Sequence, residues 1–579
     1  MGKIPEASSS YDRAITLDPN DALARIGLTW SGKQAPGTNR ERHFASGLLL
    51  PYLPDSCQYF CLQTDIQAED AQTLAGIQIA DSPSMRYLAL CTDYDGTLAT
   101  DGQLLPGTVT ALEQFLGSGR RLVLVTGREL DDLKKVCTRL DLFEYVVAEN
   151  GALLYKPSTG EETPLAARPP EAFITLLRQR GVGPISVGRV IVATWEPHES
   201  TVLATIRDMG LELQVIFNKG AVMILPAGVN KATGLARALE KMEISPHNTV
   251  GIGDAENDHA LLASCECSAA VSNALPTLKS AADIVTSMDH GAGVVQLIEE
   301  ILRDDLASRE PQLRRHHILV GTDAAGQEVR IPPHGETLLL VGANNSGKSE
   351  LATGLMERLA VQGYTFCVID VEGDYGSIAK AVALGSPTRP PTADEILKLL
   401  RSADKSAVVN LAGLAESARL PFLTSLTPKL AQLRAHSGHP HWVAIDETHH
   451  LIPAGGTPGE LLPMSEGESV LHITERPRLV AREVVRATTL FMAIGAEAQS
   501  LLEEFCQVRG IARPHPPVAP LQKNEALLWR PGPNAQPLRL NIASPQRDAV
   551  AVMPRSDVEA QGVENPLPRA ANTRTRLLH

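Results

Sequence analysis

The chain has 579 residues, of which 43% are hydrophobic and 21% are charged. A chain of this length exceeds one hydrophobic core and predicts roughly three or four domains, at about 150 residues per domain. Its formal net charge of −14 disfavours a protein coated in nucleic acid, although a local basic channel is compatible with that sum.

Cysteine usage and hydropathy indicate the cellular setting. The eight cysteines are scattered, and none has the paired spacing of a zinc site, so we expect reduced thiols. No apolar stretch reaches the roughly 18 residues of a membrane helix, and the N-terminus does not have the pattern of a signal peptide. The sequence therefore predicts a soluble, cytoplasmic protein without a membrane partner.

The N-terminal region begins with a helical pattern. Apolar residues recur at helical spacing over residues 2–28 and break at Asp18-Pro19, which predicts a helix pair within residues 1–30. The pattern resembles one tetratricopeptide unit. Because roughly three or more units are needed for a stable stack, it fits either a docking helix pair or a remnant of a longer array. Residues 31–84 have no sustained period and predict linker or irregular structure.

The first chemical pattern lies in residues 88–98. A short apolar run predicts a buried strand that delivers Asp93 and Asp95 onto a turn at Gly96. Alternate residues of an extended chain share a side, so Asp93 is suited to attack a phosphoryl group and Asp95 to handle the leaving-group proton. The same Asp-x-Asp-Gly spacing also occurs in plain turns and calcium loops.

Three later segment ends carry complementary groups. A second strand ends at Thr126, whose hydroxyl suits a phosphate oxygen, although a plain strand-to-helix turn also fits. Lys231 opens a helix, where a solvated lysine is the alternative. A strand from Thr249 to Gly253 leads to Asp254 and Asp258, whose oxygens suit magnesium. Since a phosphoryl group and an attacking carboxylate repel each other, such a site requires a metal and a lysine.

The stretches around Asp93, Thr126, Lys231 and Asp254, in this order, resemble the haloacid dehalogenase (HAD) superfamily, in particular its Cof-type, subfamily IIB phosphatases. The resemblance covers residues 85–303 and implies an α/β fold, a HAD Rossmann-like parallel sheet with a small α+β (type C2) cap. It implies an aspartyl-phosphate on the first aspartate and an acid and base role for Asp95. The implied phosphoryl ligands are Thr126 and Lys231, and the implied Mg²⁺ set is Asp93, Asp95, Asp254 and Asp258.

The cap is predicted at about residues 153–229. The pattern there predicts a strand over 186–195, a helix over 198–209 and strands over 211–217 and 221–225. Its modest size resembles enzymes that act on phosphoglycolate or sugar phosphates, so a small phosphorylated metabolite is the implied substrate. Arg189 and Lys219 fit either substrate contacts or solvated surface charges.

A second module is predicted at residues 316–510, after a charged linker at 304–315. An apolar strand runs into Gly342-Ala343-Asn344-Asn345-Ser346-Gly347-Lys348-Ser349, a phosphate-cradling loop. Lys348 would reach the β- and γ-phosphates of ATP, and Ser349 would ligate Mg²⁺. The predicted nucleotide ligands are Gly342, Asn345, Ser346, Gly347, Lys348 and Ser349. A later acidic strand end supplies Asp446 for the magnesium and Glu447 to orient an attacking water.

The second module resembles HerA/FtsK-like additional-strand ATPases in its Asp370-x-x-Gly-Asp-Tyr segment and in the run that begins at Asp446. The resemblance implies a P-loop NTPase α/β domain that hydrolyses ATP, often in rings that move DNA, and hence a homo-oligomer. The sequence predicts neither an appended DNA-binding domain nor a basic or aromatic stripe, which argues against DNA translocation. Whether DNA is a partner stays open. The adjacent His449 and His450 fit metal ligands or packing at a strand end. The arginine that would act across a ring is unassigned among Arg476, Arg478, Arg482 and Arg486.

Residues 511–579 are rich in Pro, Asn, Arg and Gln, and predict a partly disordered tail with at most two strands, at 525–529 and 537–542. The whole chain favours a magnesium-dependent phosphomonoester hydrolase fused to a P-loop ATPase domain that regulates or oligomerises it. The alternatives are an ATPase motor or partner-recruiting ATPase with an accessory phosphatase, and a scaffold with two inactive sites.

Overall fold

The structure, a computed structural model, describes residues 85–218, 220–455, 468–515 and 519–543. The helix pair predicted for residues 1–30 and the linker predicted for 31–84 lie outside the described residues, as does Lys219. We refer to residues 85–315 as the first half and to residues 316–543 as the second half.

The described strands form three sheets. In chain order they are β1 (Ala89–Thr92), β2 (Arg121–Val125), β3 (Tyr145–Ala148), β4 (Leu153–Lys156), β5 (Glu161–Pro164), β6 (Ser186–Val187), β7 (Val192–Trp195), β8 (Leu213–Asn218), β9 (Ala221–Pro226), β10 (Thr249–Gly253), β11 (Cys267–Ala270), β12 (Ile284–Val285), β13 (Ile318–Thr322), β14 (Glu328–Ile331), β15 (Thr337–Val341), β16 (Phe366–Asp370), β17 (Ala381–Leu384), β18 (Ser406–Asn410), β19 (Trp442–Ile445), β20 (Ser469–Thr474), β21 (Leu490–Ile494), β22 (Glu525–Trp529) and β23 (Leu538–Ile542).

Helices cover the faces of these sheets. They are α1 (Pro106–Gly117), α2 (Leu130–Val136), α3 (Glu171–Gln179), α4 (Glu199–Asp208), α5 (Lys231–Met242), α6 (His259–Ser264), α7 (Pro276–Ala281), α8 (His290–Asp304), α9 (Lys348–Val361), α10 (Ala393–Leu400), α11 (Glu416–Ser437), α12 (Thr448–Leu451), α13 (Arg482–Ala487) and α14 (Ala498–Arg509). None of these described helices combines the length and the apolar character needed to cross a membrane.

The first half is built on an eight-stranded sheet with the order β12-β11-β10-β1-β2-β3-β4-β5. Pairing is parallel from β12 to β3, and both faces are buried. On one face Leu90 packs in a cluster with Leu112 and Ile298, and on the other Val123 packs in a cluster with Leu235. This double burial explains why the strands read as unbroken apolar runs.

The parallel register brings the carboxyl ends of β10, β1 and β2 to one edge of this sheet. Thr92 at the end of β1 lies opposite Ile252 of β10 and Leu124 of β2. The residues that follow these strands therefore meet at one edge, where open α/β sheets bind their ligands.

The cap is a four-stranded antiparallel sheet, β6-β7-β9-β8, with α3 and α4 packed on one face. The sequence analysis began the cap at residue 153, but β4 and β5 form an antiparallel hairpin that extends the main sheet from β3. The strand predicted over 186–195 is two strands, interrupted at residues 188–191 where backbone amides turn towards Glu149.

The second half is built on an eleven-stranded sheet, ordered β14-β13-β23-β22-β21-β15-β20-β19-β16-β18-β17. Its centre is parallel, and an antiparallel edge is formed by β13, β14, β22 and β23. The two strands predicted within the C-terminal tail thus belong to this sheet. They pair there because alternate residues of β22 enter the cores on its two faces, Leu528 on one and Leu527 on the other.

The segment predicted as a charged linker packs on the first half. Helix α8 continues to Asp304, and Leu306 and Leu313 are buried in the same core as α1. The Arg309 Nε donates to Glu300 at 2.7 Å. The connection between the halves is therefore an ordered part of the first half up to residue 313.

Candidate active site

A buried lysine lies between two carboxylates at the carboxyl edge of the eight-stranded sheet. The Lys231 Nζ donates to Asp93 Oδ1 at 2.5 Å and to Asp258 Oδ1 at 2.6 Å. The Lys231 side chain is 1% exposed and that of Asp258 is fully buried. Since buried charges are stable only when paired, this contact fixes three chain segments in one position.

The sequence builds this contact from a strand end and a helix start. Asp93 follows β1, whereas Lys231 is the first residue of α5. Asn230 caps that helix, because its side chain accepts from the Thr233 backbone and the Thr233 hydroxyl accepts from the Asn230 amide. The cap fixes where α5 begins, and therefore where the amine of Lys231 enters the site.

The electrostatics of the cluster are dominated by burial. Burial, with help from Asp258 and Asp254, raises the pKa of Asp93 to about 7 against the opposing attraction of Lys231. Burial disfavours the charged amine of Lys231, but Asp258 and Asp93 hold its pKa above the ordinary value. The cluster contains three carboxylates and one ammonium, and the ammonium contacts two of the carboxylates.

The chemistry of the donors fits a magnesium ion. One carboxylate oxygen from each of Asp93, Asp254 and Asp258 lies within 4.8 Å of the other two. Asp258 Oδ2 accepts from the backbone amides of Asp254 and Ala255, each at 3.0 Å, which fixes its orientation. The Thr97 hydroxyl donates to Asp254 at 3.1 Å. Oriented carboxylate oxygens are the ligands that magnesium prefers.

The structure differs from the predicted metal set at Asp95. Its carboxylate is absent from the three-carboxylate group and instead accepts two hydrogen bonds from Arg128, from Nε at 2.6 Å and from Nη2 at 2.7 Å. The physical reason is the bidentate match between a guanidinium and a carboxylate. Arg128 also contacts Asp132. The sequence pattern assigns no role to Arg128, although its position two residues after Thr126 puts it at the same sheet edge.

Thr126 lies one strand away from Asp93. It follows β2, its amide donates to Val147 at 2.8 Å, and its side chain is almost fully buried. Its hydroxyl accepts from the Arg128 amide at 3.1 Å. The structure thus brings the groups at residues 93, 95, 126, 231, 254 and 258 to one sheet edge.

A buried glutamate, to which the sequence patterns assign no role, joins the cap to this edge. The Glu149 carboxylate accepts from the backbone amides of Arg189 at 2.8 Å, Val190 at 2.7 Å and Ile191 at 2.9 Å. Its side chain is fully buried. The signal in the sequence for a functional residue here is an acidic side chain directly after the apolar strand β3.

The sequence offered Arg189 and Lys219 of the cap as substrate contacts or solvated charges. The guanidinium of Arg189 pairs with Asp131 at 3.0 Å and with Glu162 at 3.0 Å, so it joins the cap to α2 and the sheet edge. Lys219 lies outside the described residues. Met223 of the cap approaches the site, since its Sδ would lie 3.7 Å from a Cβ placed on Gly127.

The predicted phosphate loop lies in the other sheet, between β15 and α9. The Lys348 Nζ donates to the carbonyls of Gly342 at 3.0 Å and Ala343 at 3.3 Å. Asn345 and Gly347 have positive φ values of 61° and 98°. A Cβ on Gly342 would lie 2.5 Å from the Ser346 hydroxyl oxygen, so a larger residue there would displace that side chain.

Tyr375 joins the loop to the second acidic strand end. Its hydroxyl donates to Asp446 Oδ1 at 3.2 Å and also contacts the Ser349 side chain. Burial, Glu447 and Asp370 raise the pKa of Asp446 to about 7. Burial also raises the pKa of Glu447, while Lys348 opposes that rise. The predicted ligands at residues 348, 349, 446 and 447 therefore lie close together, between the loop after β15 and the end of β19.

His449 and His450 lie beside this place. Their ring centroids are 4.3 Å apart, and His449 Nδ1 is 3.2 Å from Glu447 Oε2. These residues and Glu447 bring one potential ligand atom each within 4.8 Å of the others. Both predicted alternatives, metal ligands and packing at the strand end, are compatible with this geometry.

The comparisons with known proteins concern the first half. The sequence pattern of the haloacid dehalogenase-like hydrolase family matches residues 90–200 and 186–298. A phosphoglycolate phosphatase of Methanothermobacter thermautotrophicus is 30% identical over 223 residues, which cover 37% of this chain and 98% of that protein. One of Halorubrum lacusprofundi is 32% identical over 219 residues, covering 36% and 95%. Phosphoglycolate phosphatase 2 of Saccharolobus solfataricus is 29% identical over 221 residues, covering 37% and 92%.

The first prediction concerns the turn that holds Lys231 in place. Gly151 has a φ of +101°, and a Cβ there would lie 1.9 Å from the Asn230 carbonyl oxygen. We expect Gly151→Ala to lower the free energy of unfolding by more than about 2 kcal/mol, since strain and a backbone clash add. Denaturant titration would measure this loss.

Gly160→Ala is the matched control. Gly160 has a φ of +73° and nothing within 4 Å of the added Cβ, so only the backbone preference is lost, at about 1 kcal/mol. Equal losses in the two variants would contradict the close approach of Gly151 to Asn230.

Proposed function

The chain belongs to the haloacid dehalogenase-like hydrolase family, and from this premise we propose that its first half is a Cof-type, magnesium-dependent phosphomonoester hydrolase. The observation that carries the proposal is the Lys231 amine held between Asp93 and Asp258, with Asp254 beside them. A nucleophilic carboxylate, a fixed ammonium and a set of oxygen ligands are the parts that phosphoryl transfer to a carboxylate requires.

In the proposed reaction, Asp93 attacks the phosphorus atom and the ester bond breaks. Asp95 gives its proton to the leaving oxygen, and an aspartyl-phosphate remains on Asp93. Asp95 then takes a proton from the water that hydrolyses this intermediate, and inorganic phosphate leaves. Thr126 orients the phosphoryl oxygens, while Lys231 offsets their negative charge.

The Arg128 contact sets a condition on the two roles of Asp95. In this bidentate pair both carboxylate oxygens of Asp95 accept hydrogen bonds from Arg128, so both are occupied. The acid role requires Asp95 to separate from Arg128 and to carry a proton. We therefore expect substrate binding to rearrange this pair.

Asp93, Asp254 and Asp258 are the residues that would hold magnesium. When bound, the ion supplies positive charge that lowers the cost of bringing a phosphoryl group against a carboxylate. The cluster contains three carboxylates and one ammonium, so a bound magnesium ion would add positive charge where carboxylates outnumber cationic side chains.

We propose a small phosphorylated acid or sugar phosphate as the substrate. The support is twofold: the relatives described above are phosphoglycolate phosphatases, and the cap contains only four strands and two helices. A cap of this size closes over a small ligand and excludes water from the aspartyl-phosphate until hydrolysis.

A second activity, ATP hydrolysis in the second half, is proposed on separate observations. Tyr375 connects Ser349 with Asp446, and Lys348 lies close enough to Glu447 to oppose the rise of its pKa. Strand β20 lies between β15, which leads to the loop, and β19, which leads to Asp446. This inserted strand agrees with the resemblance to HerA/FtsK-like additional-strand ATPases. The alternative function is such a motor or partner-recruiting ATPase, oligomeric through its second half, with the phosphatase as an accessory.

The second prediction tests the nucleophile. We expect Asp93→Asn to lower the release of phosphate from an aryl phosphate and from phosphoglycolate by a factor on the order of 10³ or more, since the amide cannot attack phosphorus. The assay is run with Mg²⁺. Asp394→Asn is the control, because that carboxylate is 95% exposed in the second half, and it should retain the wild-type rate. Full activity in Asp93→Asn would exclude this assignment.

The third prediction tests the nucleotide site. Lys348→Ala should lose ATP turnover, because an alanine cannot neutralise the phosphates, whereas Lys405→Ala should keep it since that lysine is half exposed and pairs with Asp404. Turnover is measured with and without double-stranded DNA. Stimulation by DNA that depends on Lys348 would favour the motor. Unchanged turnover in Lys348→Ala would contradict the nucleotide site.

A further inference from the structure

A third group of ligating side chains lies at the junction of the two halves, and neither proposed activity uses it. His247 and Glu266 precede β10 and β11 in the first half, and His316 precedes β13 at the start of the second half. One potential ligand atom from each lies within 4.8 Å of the other two. We call these three residues the junction cluster.

His247 has a hydrogen-bond partner at each ring nitrogen, and one of them is the Glu266 carboxylate. Its Nε2 lies 2.9 Å from the Gln362 carbonyl oxygen and must donate to it. Its Nδ1 lies 2.7 Å from Glu266 Oε2. A proton on Nδ1 satisfies this contact in the absence of metal, whereas an ion bound to both atoms through bonds of about 2 Å would replace that proton and lie beside the pair.

His316 completes the group with an unused nitrogen. Its ring is perpendicular to that of His247, with centroids 5.3 Å apart. Its Nε2 is buried and has no hydrogen-bond partner among the described residues. Leaving a buried ring nitrogen unpaired costs roughly 1–3 kcal/mol, which coordination would offset.

The surroundings resemble the outer shell of a metal site. The carbonyl of Gln362 accepts from His247, and Glu266 accepts from Arg86 at 2.9 Å and from the Tyr364 hydroxyl at 2.7 Å. Metal-bound histidines and carboxylates are oriented by such partners. The positive charge of Arg86 opposes a cation here, but its other contact, with Glu310 at 2.7 Å, offsets that charge.

We propose that His247, Glu266 and His316 bind one divalent transition-metal ion of the zinc type at the junction of the halves. Two imidazoles and one carboxylate are a zinc-type donor set, whereas magnesium prefers oxygen ligands alone. The ion would join His316, at the start of the second half, to His247 and Glu266 of the first half. Both of these first-half residues also contact Tyr364 of the second half. This inference is independent of the proposed hydrolase and ATPase activities.

The test is the metal content of the full chain, stripped with a chelator, loaded with Zn²⁺ and desalted. Other carboxylate and histidine groups in this chain also offer ligands, so the readout is a difference between variants. We expect His316→Ala to lose one zinc ion per chain relative to the wild type. His317→Ala is the matched control, because this neighbouring, partly buried histidine is outside the junction cluster, and it should retain the wild-type content.

A spectroscopic readout guards against a folding defect. Co²⁺ in a tetrahedral site absorbs in the visible range, and this absorption should be lost in His316→Ala and in the milder His316→Asn, and kept in His317→Ala. Zinc should also raise the melting temperature of the wild type and of His317→Ala more than that of either His316 variant. Zinc content and cobalt spectra that are the same in the wild type and both His316 variants would overturn the proposal, as would equal losses in His317→Ala.

Discussion

The first half depends on one ammonium group enclosed by carboxylates. Lys231 is buried, and its amine contacts both Asp93 and Asp258. Removing the Lys231 amine would leave two buried carboxylates without their cation, which is among the costliest changes in a protein interior. The capped start of α5, the turn at Gly151 and the parallel register of β1 and β10 all serve to bring these groups together. Structural and chemical requirements therefore coincide at this residue.

The two halves have similar architectures, but their candidate sites lie on different sheets. Each has a parallel sheet in which polar groups follow buried strands, with a lysine at the start of a helix, Lys231 on α5 and Lys348 on α9. The sites belong to different sheets, and their presence in one chain is not evidence of coupling. A physical connection does exist at the junction, where Glu266 of the first half accepts from Tyr364 of the second.

Much of the candidate site was readable from the sequence because its parts follow apolar strands. The runs before Asp93 and Asp254 predict buried strands, and parallel strands bring their ends to one edge. Pairings between different strand ends were not readable, as the Arg128 contact with Asp95 shows. The hairpin β4–β5 was assigned to the cap, because a sequence does not show which sheet an edge hairpin joins. The junction cluster has no sequence motif, since its members come from separate turns.

The central claim is that Asp93 carries the phosphoryl group during turnover. The direct measurement is acid quenching of the enzyme during hydrolysis of a ³²P-labelled phosphomonoester, followed by mapping of the labelled peptide. The account predicts a label that is stable in acid, released by hydroxylamine as acyl phosphates are, and confined to the peptide containing Asp93. Turnover without any covalent label at Asp93, or with the label on another residue, would contradict it.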